Sequence, residues 1–376
     1  MGTTIKDVAE AAGVSTATVS RVLAPEYSGY VTERTRDRVV AAAEKLGYRM
    51  NFAARSLKRQ STMTIGVVFP EMANDFFMDV AEGIERELHS EGYTMLLSSS
   101  LNSVAEEKKR ISMLAGRMVD GMLIIPAGSQ GEHLQALSEQ GMPIVLVDRI
   151  VEGTDLDAVT SDNEEGTFRL TKALLSDGFK RIAFVGGEIT LSAARERLSG
   201  YARALAEAEI KPDPSLICLG GMDVEDGYRL MGRLLKKRNP PEAMVAVNLL
   251  VHLGMERCLL EAGTIGPEQK FRSGPGFSSG SRPRAIIAGF DESRYTPFLP
   301  ACRYVASQDA VGMGKQAGRR IIEKIQEKKT LNSEVKNSGA RIIRLPVTLS
   351  SPMDSSNLTD SSRPRRKTAR ALNRKV

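Results

Sequence analysis

Cysteines and histidines, three of each, are few in this 376-residue chain and poorly placed for covalent or metal chemistry. Cys218, Cys258 and Cys302 stand far apart, as do His89, His133 and His252, so neither a disulfide framework nor a metal knuckle is spelled out. GFSSG (Gly276–Gly280) fits the G-x-S-x-G nucleophile elbow of serine hydrolases. That motif needs a strand-to-helix turn before a later histidine, whereas this one lies in a Pro/Gly-rich stretch ahead of a strand pattern, and the last histidine is His252. A Walker lysine motif is absent. The expectation is a protein that is not an enzyme and needs neither cofactor nor metal.

Recognition chemistry is better supplied. In GVSTATVSRVL (Gly13–Leu23), Val19, Val22 and Leu23 recur at i, i+3, i+4 and so share the inner face of a helix. Thr16, Ala17, Ser20 and Arg21 are left on the outer face. Arg21 is long enough for a bidentate pair with guanine O6 and N7, and Ala17 and the Thr16 methyl suit thymine methyl groups. Ser15, Thr18 and the helix N-terminus can hold phosphate oxygens, which fixes register without reading sequence.

The neighbouring elements must aim that face. Val8, Ala9 and Ala12 mark an earlier helix, Gly13 gives the tight turn, and Ser15 is a suitable N-cap. Two short helices about such a turn make a helix-turn-helix, whose second helix enters a major groove. Tyr30–Tyr48 predicts a third helix, with Thr32 as cap, Val39, Val40, Ala43 and Leu46 inward, and Gly47 as stop. In Met50–Ser61, Asn51 can cap one short helix carrying Arg55, Leu57, Lys58 and Arg59. Such a piece is too short and too basic to stand alone in water, and is expected to fold against DNA and a second copy.

Charge is distributed accordingly. The net charge is +6, with ten Lys/Arg against six Asp/Glu in residues 1–60, seven against two in 354–376, and a mildly acidic middle. This suits a body with a polyanion-binding head. An apolar content of 41% supports sizeable cores and the length suggests two or three domains. The opening MGTTIKDVAEAAG has no apolar run of signal-peptide length, and no segment approaches the roughly 20 apolar residues of a bilayer span, so a cytoplasmic protein without membrane contact is expected.

Through the middle, apolar runs alternate with helix-length patterns. Strands are expected at Ile65–Phe69, Thr94–Ser98, Gly121–Ile125, Ile144–Val147, Ala158–Ser161, Arg181–Val185, Met244–Val247 and Ala285–Phe290, with helices such as Met78–Glu91 and Glu164–Ser176 between them. Alternation of this kind predicts parallel sheets covered on both faces, with ligands bound beyond the strands' carboxyl ends. Two similar lobes fit the length, although no internal repeat is evident. Lys270–Ala285, rich in Gly, Ser and Pro, reads as a surface loop.

TIKDVAEAAGVSTATVSRVL, VTERTRDRVVAAAEKLGY and NFAARSLKR together resemble the headpiece and hinge of the LacI/GalR family of bacterial transcriptional regulators. The resemblance implies that hinge helices pair in the minor groove, where Leu57 would wedge a base step. Met50 stands where the family usually has proline, and Ala24–Tyr30 is slightly longer than its usual turn. Residues 62–350 resemble that family's effector domain, a two-lobed type I periplasmic-binding-protein fold. Position by position, this implies Asn74 with Phe76 and Phe77, Asp148, Ser161, Arg195, Arg197, Asn248, Asp291 and Gln308 around an effector. Arg, Asp, amides and a ring suit vicinal hydroxyls and an apolar sugar face, so a sugar or sugar derivative is expected, with purines and other polar metabolites as alternatives. Leu249 replaces the acid the family usually has after Asn248.

The expected organisation is an all-α helix-turn-helix headpiece at 1–49, a hinge helix at 50–61, an α/β two-lobed effector and dimerisation domain at 62–350, and a basic, disordered tail at 351–376. The C-terminus shows no leucine heptad of the kind that builds tetramers, so a homodimer on a palindromic operator in double-stranded DNA is expected. The rival readings are an enzyme or solute-binding protein on the same two-lobed fold, and an architectural DNA binder without a ligand.

Overall fold

The computed structural model describes residues 3–23, 31–48, 61–265, 285–330 and 339–351. The chain divides into two compact units, Met1–Met63 and Thr64–Val376.

In the first unit, α1 (Ile5–Ala12), α2 (Thr16–Val22) and α3 (Glu33–Lys45) each begin at a hydroxyl side chain. Thr4 and Asp7 exchange side-chain and backbone bonds, Ser15 Oγ accepts from Thr18 N–H at 3.1 Å, and Thr32 Oγ1 accepts from Thr35 N–H at 3.4 Å. These caps satisfy amides that a helix start leaves unpaired. Gly13, at φ 60°, closes α1 in the left-handed conformation that lets the chain turn into α2 within three residues. Val8, Val19 and Val39, one from each helix, are fully buried at the centre, and alanines at 9, 12, 42 and 43 let the helices approach. Ala42 completes the α3 face; Val40 is only half-buried. Arg38 of α3 donates to Ala12 O from Nε at 3.2 Å, which ties it to the end of α1.

The second unit has two sheets. One has the order β11-β5-β4-β3-β1-β2: β1 (Thr64–Phe69), β2 (Thr94–Ser99), β3 (Gly121–Ile124), β4 (Ile144–Val147), β5 (Asp157–Ser161) and β11 (Ile342–Leu345), all parallel. The other has the order β12-β10-β9-β8-β6-β7: β6 (Ile182–Val185), β7 (Ile217–Cys218), β8 (Ala243–Ala246), β9 (Ile286–Phe290), β10 (Cys302–Gln308) and β12 (Val347–Ser350). Only its β10–β12 pairing is antiparallel. Intervening helices are α4 (Asp75–Ser90), α5 (Val104–Gly116), α6 (Glu132–Glu139), α7 (Asn163–Ser176), α8 (Ser192–Glu207), α9 (Val224–Leu235), α10 (Leu249–Glu261) and α11 (Ala310–Thr330).

The eight strands expected from apolar runs are present, within a residue or so at each end. The four that carried no such signal are β7, which has two residues, and β10, β11 and β12. β11 and β12 are sheet edges with half their residues or more reaching solvent, so they lack the continuous apolar run of a central strand. β10, CRYVASQ, mixes polar and apolar residues beside that edge.

The chain passes between lobes three times. β5 leads to α7, which packs on the second sheet; β10 leads to α11, which packs on α4 of the first; β11 runs through Pro346 into β12. Asp162 N–H donates to Leu345 O at 2.8 Å, joining two of these crossings. The lobes repeat one plan, with their fourth strands, β4 and β9, each followed directly by an aspartate, Asp148 and Asp291. Both aspartates are left-handed, at φ 63° and 70°.

Candidate functional site

On α2 the outer face is as expected: Ser15, Thr16, Ala17, Ser20 and Arg21 are exposed, and Val19 is fully buried. Thr18 is half-buried and its hydroxyl lies 2.9 Å from Ser15 Oγ, so these two form the cap from which the exposed face starts. A short helix presenting one arginine among small side chains can lie close in a groove, because nothing bulky holds it off. Asn51, Arg55 and Leu57 lie outside the described residues, as do Met50, Ala24–Tyr30, Gly276–Gly280, residues 270–284 and the tail from 352.

In the second unit a crevice of about 220 Å³ opens between the two sheets' carboxyl ends. Strand order reverses between β1 and β3 in one lobe and between β6 and β8 in the other, and loops following these strands line the crevice. These are the positions where open α/β sheets leave room for ligands. Asn74, Phe76, Phe77 and Asp148 line it from the first lobe, and Arg197, Asn248, Asp291 and Gln308 from the second or its boundary.

Local structure holds each of these. Asn74 caps α4 by accepting from Phe76 N–H at 3.1 Å, which turns Phe76 and Phe77 towards the crevice. Asn248 caps α10 by accepting from Val251 N–H and donates from Nδ2 to Met222 O, both at 2.9 Å, so it pins two crevice loops together. Arg197 is held by Asn163 Oδ1 at 2.9 Å and Val247 O at 2.7 Å, with its guanidinium carbon 3.9 Å from the centre of the Phe290 ring. Gln308 donates from Nε2 to Asp291 Oδ1. Burial pushes the Asp148 carboxyl above the usual carboxylate range, against the pull of Arg149 and Arg197 and with Asp291 and Glu196 acting in the same direction as burial. Burial likewise lowers the Arg149 guanidinium, opposed by Asp148. Asp148 Oδ1 and Gln308 Oε1 are buried and receive no hydrogen bond from the protein.

Two expected residues lie elsewhere. Ser161 is fully buried where β5 ends and the chain crosses lobes, and it does not line the crevice. Arg195 is two residues before Arg197 on α8, a spacing that sends the two side chains to different faces. Its guanidinium donates to Ile189 O at 3.3 Å and to Glu152, an interlobe tie outside the crevice. Asn163 lies behind the lining, where it positions Arg197. Sequence reasoning missed Arg149, which follows Asp148 directly after β4 and was open to the same strand-end argument. It also missed Glu71 and Glu188, and Asp223 and Asp226 beyond the two-residue β7, which is too short to signal a crevice loop. Among the described residues there is no His/Cys/carboxylate group able to hold a metal and no helix long and apolar enough to cross a membrane.

Comparison with known proteins agrees with this geometry. Residues 4–51 match the model of bacterial regulatory proteins of the lacI family, and residues 62–344 match that of periplasmic binding proteins and the sugar-binding domain of the LacI family. The HTH-type transcriptional repressor PurR of Haemophilus influenzae (strain PittEE) is 30% identical over 326 residues, covering 86% of this chain and 92% of that protein. A Lac repressor structure bound to ONPG in the repressed state superposes with a TM-score of 0.75 at 24% identity, over 93% of this chain and 99% of that one. The transcriptional regulator CelR in complex with cellobiose superposes with a TM-score of 0.65 at 27% identity, over 93% and 98% of the two chains. With an exposed recognition face on α2 and a crevice at both switch points of a two-lobed α/β body, this chain belongs to the LacI family of DNA-binding transcriptional repressors.

Proposed function

We propose that the protein binds a palindromic operator in double-stranded DNA as a homodimer, and that a small polar metabolite in the interlobe crevice sets its affinity. The domain limits that go with this are a headpiece at 1–49, a hinge at 50–61, an effector and dimerisation body at 62–350 and a basic tail at 351–376. Thr16, Ala17, Ser20 and Arg21 read base edges, Ser15 and Thr18 meet phosphate, and Asn51, Arg55 and Leu57 act in the hinge. One seven-residue helix reads too little DNA for a specific site, and two related by symmetry match a palindrome. The reading puts the protein in the cytoplasm, with DNA.

The observation that carries the effector half is the crevice itself, where eight of the ten expected residues meet: Asn74, Phe76, Phe77, Asp148, Arg197, Asn248, Asp291 and Gln308. The cellobiose complex of CelR supports a sugar or sugar derivative. Effector binding shifts the equilibrium between lobe arrangements, and only a difference in affinity between them can move it. An effector favouring the arrangement that parts the hinges releases DNA, and one favouring their pairing tightens it.

The test is a footprint on the DNA flanking the gene, repeated with sugars and purines. A palindromic footprint that one compound releases or strengthens is expected. Binding that is indifferent to sequence and steeply salt-dependent would leave only phosphate attraction and overturn the reading.

A further inference from the structure

Three ion pairs bridge the lobes among the described residues, and two of them are counterparts. The third, Arg344–Glu196, stands two residues before Pro346 in the β11–β12 crossing, where one lobe turns on the other and moves least. The other two join segments that carry crevice residues. Asp75, the first residue of α4, lies 3.7 Å from Nε of Arg294, which is three residues beyond Asp291. Glu152, four residues beyond Asp148, meets Arg195 near the start of α8. Because the lobes repeat one plan, α4 corresponds to α8 and the loop after β4 to the loop after β9. Each pair therefore joins a helix start in one lobe to the loop after the fourth strand of the other.

The charges are exchanged between the two. α4 supplies a carboxylate, which its own dipole also favours, whereas α8 supplies a guanidinium, which gains nothing from a helix start. What the pairs share is attraction across the lobe boundary. Its reach is visible at Asp79, one turn beyond Asp75. Burial, Asp75 and Glu82 push that carboxyl above the usual carboxylate range, and Arg294 of the second lobe opposes them. All four paired side chains are a third or more exposed, so salt screens both pairs and each alone is worth little. Two that resist one rigid-body opening act together.

Building on the crevice as the effector site, we infer that Asp75–Arg294 and Glu152–Arg195 are a matched pair of electrostatic latches that hold the lobes together over the crevice, so that ionic strength sets how readily it opens. Opening pulls both pairs apart at once. An effector held between the lobes is retained by whatever resists that motion, so its affinity falls as salt rises, apart from any effect of salt on DNA contacts.

The experiment is amide hydrogen exchange of the full chain, without DNA or effector, read at single residues. Ile150 N–H donates across the lobe boundary to Ser192 Oγ at 2.8 Å, so its exchange reports opening. Amides of β3, held between β1 and β4, report unfolding of the lobe itself and normalise for solvent conditions. Arg294→Gln should speed Ile150 exchange about two- to fivefold at low salt, although Arg294 belongs to the other pair, and leave β3 unchanged. Raising salt from about 0.1 M to about 1 M, which cuts the Debye length from about 10 Å to about 3 Å, should speed Ile150 in the natural chain. That response should vanish when Arg195→Gln and Arg294→Gln are combined. Arg195→Glu should speed exchange by setting two carboxylates face to face, and adding Glu152→Arg should restore it. Unchanged Ile150 exchange in Arg294→Gln overturns the inference, as does a charge swap that restores nothing. Acceleration shared equally by the β3 amides would be general loosening and overturns it too. None of these results bears on the regulator reading, which stands or falls on the operator footprint.

Discussion

Single residues divide into those proposed to read DNA and those that hold the proposed reading helix in place. Arg21 is exposed on α2 and makes no hydrogen bond or ion pair among the described residues, whereas Arg38 is tied to Ala12 O. Arg21→Ala is therefore expected to relax preference at one base pair of each half-site, at a cost of about 1–3 kcal/mol, as read by binding to a set of singly substituted operators. An equal loss on every sequence would make it a phosphate contact. At Asp148 the reasoning concerns pH. Its carboxyl is raised in the folded protein, so the folded state holds its proton more tightly. The resulting stability is present below the unfolded value of about 3.9 and is lost as pH rises through the higher folded value. Asp148→Asn, neutral throughout, should melt above the wild type at pH 7 without ligand, and the gap should close towards pH 4. A variant less stable by the same margin at every pH would mean that the bond geometry, not burial of charge, dominates there.

Among elements, the helix pairs depend on close backbone approach. In the first lobe, α4 and α11 cross where Gly83 meets Gly314: a Cβ on Gly83 would lie 2.2 Å from Val311 O, and one on Gly314 would lie 2.1 Å from Val80 O. These obstacles are backbone atoms, which cannot rotate aside as a side-chain tip can. Gly83→Ala should therefore force the helices apart at a cost of about 1–3 kcal/mol or more, visible as a lower Tm of the body, with the headpiece helices unaffected. An unchanged Tm would show that the pair can slide. Because α11 begins directly after Gln308 and Asp309, this crossing also anchors one of the three connections between lobes.

For the whole molecule, the two lobes are joined on one flank by more than chain. Ile150 N–H donates to Ser192 Oγ at 2.8 Å, Arg344 meets Glu196 at 3.0 Å, and Arg195 meets Glu152. Ser192→Ala removes an acceptor from a buried serine and should loosen this flank, changing apparent effector affinity by a few-fold with little change in Tm; titration of the variant by melting or calorimetry would check it. The assembly is expected to sediment as two chains at micromolar concentration, and a monomer bound tightly to a palindrome would contradict the symmetric reading.

The sequence by itself determined whatever depends on short-range pattern. Caps at Ser15 and Thr32, the turn at Gly13 and inward valines at 19 and 39 follow from spacing and local backbone chemistry, so the three described helices were legible from the sequence, Val40 excepted. Central strands were legible because burial on both faces demands unbroken apolar runs. Crevice residues next to such strands, including Asp148, Asn248 and Asp291, were legible through the resemblance these runs support. Tertiary structure decided the rest. Edge strands β11 and β12 exist because a neighbour supplies hydrogen bonds, not because their own sequence insists. Arg195 and Arg197 are chemically alike and two residues apart; only the packing of α8 sends one into the crevice and the other across the lobe boundary. Ser161 looks like a ligand contact until β5 buries it at a crossing. The full lining of the crevice was hidden because its residues come from loops far apart in the chain, and a site is assembled in space rather than along a sequence.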